Sequence, residues 1–140
     1  MPYLGLTSIL IDCFAIRYRA IWEKALDYQN RAKILDPLLP TYCRELEAAA
    51  HYVLGNYHDT VSVVSQLLHK SKRSHAYLVA ALSHLDDEMT LRKAVDELLV
   101  ANPSFSISAF LESEYYKDEV VPQQLAIDLK KAGLPDTVAA

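Results

Sequence analysis

Five histidines, eighteen carboxylates and two cysteines are the side chains of this 140-residue chain suited to holding a metal or moving a proton. Zinc chemistry needs three or four such ligands converging on one point. His51 and His58 stand seven residues apart across a predicted helix boundary, and His69, His75 and His84 fall at or beyond turns, so no ligand set assembles. Cys13 and Cys43 occur in no CxxC or Cys/His spacing and read as two buried, reduced thiols. There is no GxSxG elbow, Walker loop, GxGxxG or HExxH, and Gly5, Gly55 and Gly133 are too scattered to cradle a phosphate. The expectation is a protein that is not an enzyme, with no catalytic residue, metal or cofactor.

The densest cationic run is His69-Lys70-Ser71-Lys72-Arg73-Ser74-His75. It suits an acidic peptide or a phosphate backbone, or it is a solvated turn whose cations sit near a helix C-terminus. The overall net charge of -4 and the lack of a nucleic-acid-binding motif favour the turn, and no nucleic-acid partner is expected. Charge is nevertheless uneven: residues 17–33 are mainly basic and 86–119 mainly acidic. Tyrosine is abundant, at nine residues. Tyr57 reads as core, whereas others suit a surface where an amphipathic ring contributes contact area.

The elements that would position these groups are helices. Leu35-Asp36-Pro37 and Ala101-Asn102-Pro103 close two segments 66 residues apart, twice 33, and Leu54-Gly55-Asn56-Tyr57 marks an inner turn between them. A period in this range is the signature of a helical solenoid, whose units bury their apolar faces against one another. In the first unit Leu6 to Arg17 reads as one helix, and Ile21, Ala25, Tyr28, Ala32 and Leu35 as the core face of the next. Tyr42, Leu46, Ala49, Ala50, Val53 and Leu54 form one stripe, and Tyr57, Val61, Val64, Leu67 and Leu68 the return stripe. Ala76 to Leu85, then Leu91, Val95, Leu98 and Leu99, repeat the scheme. Ser106 is placed to cap a short helix, and Pro122 to open a last one that Gly133 ends. The apolar opening from Tyr3 to Ile16 lacks a basic start, is interrupted by Asp12 and is too short to span a bilayer. No membrane partner is expected, and the expected location is cytoplasmic.

These units resemble the tetratricopeptide repeat. Aligned on Pro37, the first matches its pattern at Cys13, Ile16, Trp22, Ala25 and Ala32; aligned on Gly55, the second matches at Ala48, Tyr57, Val64 and Leu67; aligned on Pro103, the third matches at Val79, Leu82, Leu91, Val95 and Leu98. His51, Thr60, Gln29 and Asp86 depart from it. Residues 40–135, through runs such as Ala81-Leu82-Ser83-His84-Leu85, Asn102-Pro103-Ser104-Phe105-Ser106 and Lys131-Ala132-Gly133-Leu134-Pro135, are also similar to the C-terminal repeat region of bacterial adenylate- or guanylate-cyclase-like and transcriptional-regulator proteins. The resemblance implies one all-α domain over 1–140, a right-handed solenoid of three repeats at approximately 3–37, 38–72 and 73–105, with capping helices over 106–135.

It also implies a binding surface. In this family the first helix of each pair lines a concave groove, which places Thr7, Leu10, Phe14, Arg17 and Tyr18 there, then Tyr42, Glu45, Ala49, Tyr52 and Val53, then Arg73, Ala76, Ala80, Ser83 and His84. Arg17 and Arg73 are the cations of this set and it has no asparagine, so a clamp for a C-terminal carboxylate is not expected. The implied function is a protein–protein interaction module with a peptide or protein partner, in bacterial signalling. The alternative is self-association, a homodimer through the apolar first helix at Tyr3, Leu6, Ile9 and Leu10.

Overall fold

Helix-ending residues divide the chain. The computed structural model describes residues 2–38, 40–114 and 120–137, with the backbone alone for 2–18. Among these residues are seven helices and no strand: α1 (Pro2–Leu35), α2 (Thr41–Val53), α3 (Tyr57–Ser65), α4 (Lys72–Leu82), α5 (Glu88–Ala101), α6 (Ile107–Ser113) and α7 (Val120–Lys131). The expected all-α class is observed.

Local chemistry accounts for most boundaries. Gly55, at φ +81°, ends α2: its N–H reaches the Tyr52 carbonyl and the Asn56 N–H reaches that of His51. Gly133, at φ +97°, ends α7 in the same way, with Leu134 packed back onto the core. This is the paired-bond C-cap that needs a left-handed residue. Ser71, Asp87 and Ser106 cap α4, α5 and α6 by accepting from the amides of Ser74, Thr90 and Ala109.

The first unit departs from expectation. Residues 2–35 form one uninterrupted helix, with no turn between Arg17 and Ile21. Ala20, the strongest helix former, stands where the repeat pattern has glycine. The core face is also rotated. Trp22, Leu26, Gln29, Ala32 and Lys33 are half-buried, while Ile21, Ala25, Tyr28 and Leu35 are exposed. Polar pairs onto α2 cause this: Gln29 donates to the Cys43 carbonyl, and Lys33 lies 2.5 Å from the buried Glu47 carboxylate, which Arg44 also approaches at 3.3 Å.

α2–α3 and α4–α5 are two successive hairpins, and α2 packs on α4 as well as on α1. The α2 stripe is likewise rotated, with Ala48, Ala49, Ala50 and Tyr52 buried and Tyr42 and Leu46 exposed. The basic run 69–75 is not all turn, because α4 begins at Lys72 and buries Ser74 and His75. From Ser74 to Leu82 every residue of α4 is buried, as befits a helix surrounded by neighbours. It contacts α2, α3, α5 and α7. Leu98 is fully buried, Val95 packs on the core from a half-buried position, and Leu67 is only half-buried. The C-terminal pair is closed by its own tail: the N–H groups of Ile107 and Ser108 donate to the carbonyls of Pro135 and Asp136.

Candidate functional site

Buried polar groups from α2, α7 and the turn after α4 converge at one point and join residues as far apart as Tyr52 and Asp128. Small residues build the floor there, on the inner face of α2 and α4. Ala49 on α2 and Ala76 and Ala80 on α4 are buried, which lets other helices approach closely. α7 lies against α4, burying Val121, Leu125 and Leu129 in the shared core.

One acid breaks that apolar stripe. Asp128, on α7, is buried and accepts a hydrogen bond from the Tyr52 hydroxyl. Its Oδ2 also lies 2.7 Å from His84 Nε2, and Gln124 donates to its Oδ1 at 3.0 Å. Burial, then the neighbouring carboxylate, push the Tyr52 ionisation far up, so the phenol stays protonated. Tyr57 stacks flat on the His84 ring at 4.1 Å, and Tyr52 meets Tyr77 edge-on at 5.5 Å. A second carboxylate closes the other end: Glu114 takes Arg73 Nε at 3.0 Å and Nη2 at 2.7 Å. This fork geometry fixes direction as well as charge.

The groove positions named from the sequence therefore meet different fates. Tyr52, Arg73 and His84 hold carboxylates of the chain's own C-terminal region. Ser83 is buried and donates to the Ala80 carbonyl. Glu45 accepts from the hydroxyls of Ser71 and Ser74, tying α2 to the start of α4. Val53 is half-buried against the core, and Tyr42 is exposed. Phe14, Arg17 and Tyr18 have side chains outside the described residues. Tyr57 is half-buried, packed on the core rather than within it.

Asp128 went unnoticed in the sequence, although the signal was present. Val121, Leu125, Asp128 and Leu129 recur at i, i+4, i+7 and i+8. A carboxylate on that face must find donors, because an unpaired buried charge is costly. Among the described residues no group of three His, Cys, Asp or Glu could hold a metal ion, and no helix is long and apolar enough to cross a membrane. Comparison with protein-family models, with curated proteins and with solved structures finds no match to this chain.

Proposed function

We propose that this chain is a protein–protein interaction module of tetratricopeptide-like hairpins, working in the bacterial cytoplasm, whose inner face takes an amphipathic helix bearing a carboxylate. The observation that carries the reading is the seat of α7. An apolar helix stripe with one acid, Asp128, is held there by Tyr52 on α2 and His84 in the turn that follows α4. Helix-in-groove recognition uses this arrangement, with anchors at i, i+3, i+4 and i+7. In this chain the seat is filled by its own segment, so a partner binds in competition with α7.

The test uses a labelled peptide of residues 118–137 and the full chain carrying Leu125→Ala and Asp128→Asn, which loosen the resident helix. Fluorescence anisotropy should show the peptide binding this variant and not the parent. Adding His84→Ala should weaken that binding. A loosened chain that keeps its helical circular dichroism yet ignores the peptide would remove the inner face as a helix-binding surface.

A further inference from the structure

α5 carries on its solvent side a pattern that is its own complement. Met89, Lys93, Asp96 and Val100 follow one another at steps of four, three and four. At 100° per residue they share a strip about 60° wide, with Arg92 on one flank and Glu97 on the other. The residues by which α5 joins the core, Ala94 and Leu98 fully and Leu91 and Val95 in part, are turned away from this strip.

Its two ends are apolar and open. Met89 is 85% exposed and Val100 81%. The strip lines a cleft of about 880 Å³ together with Lys70, His75 and Ala101. Because α4 and α5 form a hairpin, the start of α4 lies beside the end of α5, which places Lys70 and His75 next to Val100 and Ala101. Between the apolar ends the order of charge is two cations, Arg92 and Lys93, then two acids, Asp96 and Glu97. Arg92 lies 3.6 Å from Glu88 of its own helix, but both side chains are largely exposed, and such a pair holds the guanidinium only weakly.

We propose that this face of α5 packs on α5 of a second copy of this chain, antiparallel, about a twofold axis level with the bond between Ala94 and Val95. An interface of this kind is isologous, so its surface must complement itself. The rotation sets Met89 level with Val100 of the partner subunit, and Lys93 level with Asp96 of the partner subunit. Towards the flanks Arg92 meets Asp96 of the partner subunit, and Glu97 meets Lys93 of the partner subunit. Each contact is made twice. Charge selects both the occupant and its direction. A parallel copy would lay every residue beside its own mate, cation on cation and acid on acid. A partner surface of one sign would oppose like charge to one half of the strip, the juxtaposition that suppresses wrong partners. The exposed ion pairs set register, and the apolar ends add the area: each Met89, a flexible thioether suited to irregular gaps, enters the other copy's cleft at Val100 and Ala101. The cluster of Tyr52, His84 and Asp128 takes no part, so this pairing and the groove reading stand or fall by different measurements.

One helix pair is a small interface, so sedimentation equilibrium of the full chain is run at a few hundred micromolar, where it should give twice the chain mass. Arg92→Glu with Lys93→Glu makes the strip wholly acidic, and Asp96→Lys with Glu97→Lys makes it wholly basic. Each variant alone should be a monomer, and an equimolar mixture should return to the dimer mass, which misfolded chains would not do. Direction is read from cross-linking in a Cys13→Ser, Cys43→Ser background. Chains carrying Met89→Cys and chains carrying Val100→Cys should oxidise to a covalent dimer when mixed, and neither should do so alone. A monomeric parent, charge variants that dimerise unmixed, or a mixture that stays monomeric overturns the proposal. A covalent dimer of Met89→Cys chains alone overturns the antiparallel arrangement.

Discussion

Tyr52 and Asp128 are 76 residues apart in the chain and share one buried hydrogen bond, phenol to carboxylate. Bonds to charged groups contribute about 1.5–3 kcal/mol, and Tyr52→Phe should cost that much in urea unfolding. Truncation separates the two tyrosines that the sequence placed together on the groove. Tyr52, 3% exposed, should lose about 3–5 kcal/mol on change to alanine. Tyr42, 62% exposed, should lose no more than about 0.5 kcal/mol.

The stability of the fold should fall in acid partly through His75. Burial, chiefly, pushes its pKa below the usual 6.5, and its Nδ1 has no hydrogen-bond partner. A depressed folded pKa contributes stability above the unfolded value and loses it as pH falls through the folded one. The parent should therefore weaken relative to His75→Leu as pH drops below about 6.5. The difference between the two should be flat from neutral pH upward. Parallel curves down to pH 4 would show that His75 does not titrate on unfolding.

Two leucines that the sequence treated alike should behave differently. Leu98 is fully buried and Leu67 half-buried. Leu98→Ala should cost about 2–5 kcal/mol, the range for a cavity in a core. Leu67→Ala should cost distinctly less in the same thermal melts.

Ser71 does three things at the start of α4. Its oxygen accepts from the Ser74 amide, its hydroxyl donates to Glu45, and it sits at the turn between hairpins. Ser71→Ala should cost about 0.5–2 kcal/mol, and Ser71→Asp should retain the cap but place a carboxylate against Glu45. Chemical denaturation of the two variants separates the cap from the Glu45 link.

Helix ends were legible because they depend on single residues. Gly55, Gly133, Ser106 and the Asn102-Pro103 pair act where the sequence placed them. Facing was less legible. Gln29 and Lys33 are drawn inward by Cys43 and Glu47, groups that periodicity does not weigh, and they rotate α1 away from its expected side. A period of 33 also divides α1 at Arg17, where the helix runs through without a break. The burial of Tyr52 depended on an acid in the last helix, beyond the reach of any local pattern.

The tail that returns from Pro135 and Asp136 to the amides of Ile107 and Ser108 has a consequence in time. Synthesis runs from the N-terminus, so α2 and α4 leave the ribosome before the segment that seals their inner face. At 5–20 residues per second, roughly 2–9 s separate the emergence of Leu82 from that of Asp128. During that interval the apolar residues of α4 that α7 covers in the finished fold have no α7 to bury them.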